Sequence, residues 1–272
     1  MTPIQARPLR AIQQIQIGRV TSTESQARET LARLASAGYE GIELNGFITR
    51  PTPLFVRALT KVAGMPVGRG GRLDWPRLVP ESGLSVVALH EDLGAIESET
   101  AAVVVRAAEL GTGTIVVTGM HRFDYGDEDA VAQLAQRLDA VGRALAADGL
   151  RLLYHNHTAE FRRLRSDRTA FDAIVEQTDP DAVGFELDCF WAVTAGADPL
   201  VLLDALGDRV RLLHITDRGS RITGPTLTPI VKVDSVELGA GNMPIDAIVE
   251  RAAALHVKAV ILETHRNWID GS

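Results

Sequence analysis

The stretch LRLLYHNHTAEF, residues 150–161, drives an apolar run into two histidines, an asparagine and a glutamate. Other apolar runs finish in the same way. YEGIEL (39–44) carries Glu43, LSVVALH (84–90) ends at His90, and AVGFELD (182–188) carries Glu186 and Asp188. RVRLLHIT (209–216) carries His214, and VKAVILETH (257–265) ends with Glu263 and His265. Carboxylates mixed with imidazoles suit a divalent cation, and an imidazole can also move a proton near neutral pH. Residues two apart on a strand share a face. Convergence is therefore expected for His155 with His157, for Glu186 with Asp188, and for Glu263 with His265. At a rise of about 3.3 Å per residue, His157 stands ~6.6 Å beyond His155 toward the strand end. That offset predicts proton transfer for His157, and a hydrogen-bonding or metal-binding role for His155.

The elements that must position these residues alternate. Strands are expected at 11–18, 39–44, 84–90, 113–119, 150–157, 182–188, 209–216 and 257–265. Helical spacing or capping appears at 22–38, 52–64, 99–111, 127–149, 168–179, 198–207 and 243–256. Ser22 or Thr23 can cap the first helix and Gly38 can close it. Eight such units predict an α/β fold, a parallel (β/α)₈ barrel formed as one domain over residues 1–272. Active groups then belong at the C-terminal strand ends. An open doubly wound sheet is the alternative, but the glycine-rich fingerprint expected after its first strand is missing. The chain ends at Ser272, soon after the last strand, which predicts a barrel lacking its eighth helix. A second copy of the chain is expected to cover the apolar face left open. Two long glycine- or proline-rich loops, 64–77 and 218–233, are candidates for functional loops.

Composition narrows the classes. With 46% apolar and 23% charged residues the 272-residue chain reads as globular. A net charge of −7 argues against a nucleic-acid partner. Cys189 is the sole cysteine, which excludes an intramolecular disulfide or a cysteine-rich zinc site and fits a reducing, cytoplasmic setting. Neither a signal-peptide pattern nor a membrane span is expected.

LYHNHTAEF, FELDCFWAVTAGADP, LLHITD, VELGAGN and VILETH together resemble the sugar phosphate isomerase/epimerase family. These are xylose-isomerase-like barrels related to inosose dehydratases, ketose 3-epimerases and, more distantly, endonuclease IV. The resemblance covers nearly the whole chain and is clearest from residue 150 onward. It implies a TIM barrel and one divalent metal, manganese first, with magnesium, cobalt, iron or zinc as the others. It also implies Asp188, His214 and Glu263 as ligands, with Glu160 as the fourth and His155 as its alternative. Two departures touch substrate recognition. Thr216 stands where many relatives have lysine in HxKD, and Ala240 stands where many have glutamate in ELGEGN.

The expected activity is isomerisation or epimerisation of a sugar, keto-sugar or cyclitol through an enediolate. His157 and Glu263 would transfer protons, and Glu43, His90, His155, Trp191 and His265 would line the substrate pocket. A dehydratase using the same site is the alternative. An endonuclease-like barrel and a non-catalytic sugar-binding barrel are the remaining readings. The bland alternatives are a core-packing Trp191, a Glu43 bonded only to a loop, a simple turn at GAGN, and a buried, inert Cys189.

Overall fold

The computed structural model describes residues 7–49, 73–220, 222 and 224–264. Among them, eight parallel strands close a barrel: β1 (Leu9–Gln13), β2 (Gly41–Asn45), β3 (Ser85–His90), β4 (Thr114–Thr118), β5 (Arg151–His155), β6 (Val183–Asp188), β7 (Val210–Ile215) and β10 (Ala259–Leu262). Their order around the ring is β1-β10-β7-β6-β5-β4-β3-β2. A small antiparallel pair, β8 (Asp217–Gly219) with β9 (Asp234–Val236), is inserted between β7 and β10. Helices on the outside connect the strands: α1 (Glu24–Ser36), α2 (Gly46–Thr49), α3 (Trp75–Glu81), α4 (Leu93–Leu110), α5 (Glu128–Ala147), α6 (Ala170–Gln177), α7 (Cys189–Thr194), α8 (Pro199–Leu206) and α9 (Ile245–Ala254). This is the expected (β/α)₈ architecture. The expected helix at 52–64 and the missing eighth helix fall outside the described residues. No described helix is long and apolar enough to cross a membrane.

Sequence periodicity sets what the barrel encloses. Inward positions of β5 are Leu153 and His155, and those of β7 are Leu212 and His214. On β6 they are Gly184, Glu186 and Asp188. The intervening residues Tyr154, Phe185, Leu187 and Leu213 join the core between sheet and helices. Inside, Ala11, Val87, Ala88, Val116, Leu153, Leu212, Ala259 and Ile261 form a separate apolar plug. Layers of apolar side chains fill a closed barrel in this way. The chemistry-bearing residues are the next inward positions toward the strand ends, so the plug is their floor.

Several boundaries differ from expectation for local reasons. β1 stops at Gln13 instead of continuing to residue 18. The Gln13 side chain accepts hydrogen bonds from Ile15 N (2.7 Å) and Asn45 Nδ2 (2.9 Å), turning the chain into a 3₁₀ segment over Gln14–Ile17. α4 begins at Leu93, where Asp92 caps Ala95 N at 3.1 Å, and bends at Glu99. The expected start at residue 99 coincides with that bend. The α1 start holds as expected, with Thr23 and Gln26 forming a reciprocal capping box. The loop at 218–233 leads from β8 to β9, and Leu227 and Ile230 in it are exposed.

Asp217 organises the rim beside this loop. Its carboxylate accepts from the backbone N–H groups of Gly239 (3.0 Å), Gly241 (2.9 Å), Met243 (3.0 Å) and Arg218 (2.8 Å). A Cβ at Gly241 would collide with the Asp217 carboxylate, so GAGN is a turn built around a buried side chain. Thr216 faces the same rim. Its hydroxyl donates to Val236 O (3.0 Å) and pairs with Thr264 Oγ1 (2.6 Å).

Gly142 provides a test of packing between α5 and the chain entering β6. A Cβ there would collide with Ala182 O. Alanine favours a helix by about 1 kcal/mol over glycine, but overpacking costs ~1–3 kcal/mol. Gly142→Ala is therefore expected to destabilise the protein despite its better helix propensity. A urea midpoint equal to or above that of the parent would refute this packing account.

Candidate metal centre

Among the described residues, two groups of potential ligand atoms lie at the C-terminal end of the barrel. In each, the atoms fall within 4.8 Å of one another. The upper group is His155, Asp188, His214 and Glu263, one residue from or just past each of β5, β6, β7 and β10. His155 Nε2 lies 4.0 Å from Asp188 Oδ2. His214 Nδ1 lies 3.8 Å from Asp188 Oδ2 and 2.7 Å from Glu263 Oε2. A tetrahedral cation with bonds near 2.1 Å separates its ligands by roughly 3.4 Å. The observed distances bracket that value, so the group fits such an ion with small side-chain adjustments.

The lower group is Glu43, His90, Glu186 and His214, all buried. His214 Nε2 lies 2.5 Å from Glu43 Oε2 and 3.3 Å from Glu186 Oε1. His155 Nδ1 lies 3.0 Å from Glu186 Oε2. His90 Nε2 is 3.0 Å from Glu43 Oε2 and 3.1 Å from Glu186 Oε2, yet it is not aligned for a hydrogen bond to either. Glu43 Oε1 and Glu186 Oε1 are likewise buried without a hydrogen-bond partner.

The ionisation of these residues follows from burial and proximity. Burial alone would lower His90, but Glu43 and Glu186 outweigh it and raise the imidazole to about 10. His214 is also held well above its usual value, because Glu186, Glu43 and Glu263 overcome its burial. Burial disfavours the Glu186 carboxylate, yet His214 and His90 hold it well below the usual range. Asp188 goes the other way. Burial, with Glu263 adding repulsion against the pull of His155 and His214, raises it to about 6. Positive charge between Asp188 and Glu263 would relieve that repulsion.

The end of β5 explains the YHNH run. The strand stops at His155 because Asn156 replaces the ladder with its side chain. Its Oδ1 accepts from Asp188 N (2.9 Å) and its Nδ2 donates to Asp188 O (3.1 Å). This ties β5 to the residue that also caps α7, where Asp188 Oδ1 accepts from Trp191 N at 2.9 Å. The short helix α7 was not anticipated from the sequence; the signal was an aspartate three residues before Trp191. His157 therefore lies past the strand, not on it. Its ring still meets His155 at 4.9 Å and Trp191 at 5.9 Å between centroids. Burial, then the neighbouring His155, His90 and His214, lowers His157 to about 3 despite Glu263. Its ring is thus kept neutral.

Glu160 lies in neither group of ligand atoms. It is fully buried, and its carboxylate accepts from Tyr154 Oη (3.0 Å) and His157 N (3.0 Å). Tyr154 spends its proton on Glu160, so Tyr125 donates to Tyr154 at 2.9 Å and itself accepts from Met120 N at 2.8 Å. A Cβ at Gly119 would lie 2.5 Å from Glu160 Oε1, so the β4 end must be glycine for the carboxylate to sit there. Nearby is a cavity of about 250 Å³ lined partly by Phe123, Tyr125, Phe161 and Arg162.

Among the other expected site residues, Glu43 and His90 sit in the lower group, half-buried Trp191 lies beside His157, and His265 falls outside the described residues. Cys189 is a buried thiol at the start of α7, raised well above its usual value by burial and the Asp188 charge, as its inert reading expects. Glu186 was paired with Asp188 from the sequence but given no role. Its direct register with His155 is the contact that sequence reading lacked.

The chain is similar to proteins named as inosose dehydratases and as a sugar phosphate isomerase/epimerase. An inosose dehydratase from Clostridium tetani is 21% identical over 253 residues, covering 90% of this chain and 81% of that protein. One from Lacticaseibacillus casei is 28% identical over 90 residues, 33% of this chain and 29% of that protein, so this match spans less than a third of the relative's length. A sugar phosphate isomerase/epimerase structure from Parabacteroides distasonis superposes with a TM-score of 0.73 at 22% identity, covering 97% of this chain and 88% of that one. The IolI protein with a zinc atom superposes with a TM-score of 0.63 at 15% identity over 94% of this chain and 88% of that one. At these identities the structural likeness carries the fold. The family assignment comes from the model described as xylose isomerase-like TIM barrel, which matches residues 31–271, and the chain belongs to that family.

Proposed function

We propose that the protein is a divalent-metal-dependent isomerase or epimerase acting on a sugar, keto-sugar or cyclitol through an enediolate. The observation carrying this reading is the upper group, in which four strands each contribute one ligand atom within 4.8 Å of the others. We read His155, Asp188, His214 and Glu263 as the ligands, with His155, the alternative fourth ligand, in place of Glu160. The paired imidazoles and carboxylates suit manganese, iron, cobalt or zinc, and the zinc in IolI supports a cation in this fold.

A cation held there supplies Lewis-acid polarisation of a carbonyl and stabilises the negative charge developing on it. The side chains supply the rest. His157, in ring contact with His155 and Trp191, is read as the group that takes the proton α to the carbonyl. Glu263, slightly open to the mouth, is the second proton-transfer candidate. Trp191 forms a wall beside His157 suited to the apolar face of a ring. Glu160 holds the backbone of His157 in place. The reading takes the chain as one domain that acts in the cytoplasm as a homo-oligomer.

A dehydratase is the second reading, favoured by the inosose dehydratase relatives. Both reactions begin with the same proton abstraction. They part when a hydroxyl β to the carbonyl leaves. Incubation with keto-sugars and inososes in deuterated water separates them. Deuterium uptake at unchanged composition marks isomerisation or epimerisation, and loss of one water marks dehydration. No proton exchange with any substrate of the panel, in metal-loaded protein, would refute both.

Substitution tests the site directly. His155→Asn, Asp188→Asn, His214→Ala and Glu263→Gln are each expected to lower bound metal strongly, read by elemental analysis after dialysis. Glu160→Gln is expected to keep its metal. Stoichiometric metal in any of the first four variants removes that residue from the ligand set, and loss of metal in the last restores Glu160 to it. His157→Asn is expected to retain metal and melting temperature while turnover falls about 10²–10⁴-fold, the usual range for a lost general base. Undiminished turnover would exclude His157 from proton transfer.

A further inference from the structure

The two carboxylates beneath the upper group touch the ligand histidines on their far sides. His155 turns Nδ1 to Glu186 Oε2, 3.0 Å away, and leaves Nε2 on the Asp188 side. His214 is turned the other way round. Its Nε2 meets Glu43 Oε2 at 2.5 Å, and its Nδ1 faces Glu263 and Asp188. We propose that Glu186 and Glu43 are positioning residues that hold His155 and His214 in opposite tautomers, so that His155 presents Nε2 and His214 presents Nδ1 to the cation. This inference rests on reading the two histidines as ligands.

Proton counting sets the tautomers. A neutral imidazole carries one proton and one lone pair on opposite nitrogens. With a cation between the rings and the upper carboxylates, Asp188 and Glu263 no longer take a proton from His214 Nδ1; the far nitrogen of each ring still faces a carboxylate with no proton to offer, so it must donate, and the lone pair is left on the nitrogen toward the cation. An acceptor of this kind fixes the ring and strengthens the metal bond.

Strand register explains why the two histidines differ. His155 is level with Glu186, while His214 is level with Asp188 two residues higher. His155 therefore meets its carboxylate sideways on the adjacent strand. His214 has Asp188 at that level and reaches across the barrel to Glu43 on β2 instead. His90 lies between the two carboxylates, 3.0 and 3.1 Å from them, and closes the layer. The competing use of the lower group is a second cation. It would need the lone pair of His214 Nε2, which the proposed tautomer does not offer.

The test uses the full-length protein with ¹⁵N-labelled histidine and Zn²⁺ as the probe. Ring nitrogen shifts in the zinc-loaded protein are expected to show the proton of His155 on Nδ1 and that of His214 on Nε2, with one zinc per chain. Glu186→Gln should perturb the His155 pattern more than that of His214, whose Nε2 lies 3.3 Å from Glu186 Oε1, and Glu43→Gln should perturb His214 and leave His155 unchanged. Each should weaken zinc binding about 10–100-fold, as outer carboxylates usually do. Finding the same protonated nitrogen in both rings would overturn the proposal. So would unchanged zinc affinity in both variants, or two zinc ions per chain with one lost on Glu43→Gln. Parent protein that binds no zinc refutes the metal reading itself, whereas parent protein that binds zinc with other tautomers refutes only this inference. If the variants do not fold, the tautomers of the parent protein decide the matter alone.

Discussion

Uncompensated charge inside an apolar barrel is the constraint on which the rest of this structure depends. Glu43 and Glu186 are fully buried, Asp188 nearly so, and Glu263 is only slightly exposed. Beneath them is a plug of alanine, valine, leucine and isoleucine. A buried carboxylate without partners costs several kcal/mol, of the order that an entire domain has to spare. Each carboxylate accordingly meets an imidazole. The lower carboxylates are matched by His90 and by the far nitrogens of His155 and His214. The upper pair, Asp188 and Glu263, is matched less completely, which is why Asp188 is raised while Glu186 is depressed. The imbalance is located where a cation fits.

The same demand recurs wherever the sheet's hydrogen-bond ladder ends. Gln13 and Asn156 place side-chain hydrogen bonds where β1 and β5 end, and Asp217, at the start of β8, gathers four backbone N–H groups that build part of the rim. Asn156 is the most economical. Its amide makes a reciprocal pair with the backbone of Asp188, while the other side of Asp188 caps α7 and faces the histidines. One local substitution of side chain for backbone thus sets the position of a candidate ligand, the start of a helix and the placement of Trp191.

Glu160 illustrates how a buried carboxylate can be satisfied without a cation. Tyrosine hydroxyls and a backbone N–H supply its donors, and Gly119 leaves it the room. Its contact with the backbone of His157 places it behind the proton-transfer candidate. The aromatic cavity next to it shares Tyr125 with this hydrogen-bonded chain.

What the amino-acid sequence determined by itself was whatever depends on local period and chemistry. Alternating strand and helix patterns were enough for the barrel. Period-two spacing put Glu186 with Asp188 on one face and sent His214 and Glu263 to strand ends. Capping residues such as Thr23 and Asp127 marked helix starts. Only the tertiary structure decided between His155 and Glu160 as neighbours of Asp188, because that depends on register between β5 and β6 and on where β5 stops. It also decided that Glu43 and His90, 47 positions apart in the chain and expected to line a pocket, lie beneath the candidate ligands. Glu43 and His214 are 171 residues apart, and nothing local in either segment encodes their meeting. Barrel closure brings them together, and the low dielectric of the interior makes that contact decisive for the charge of both.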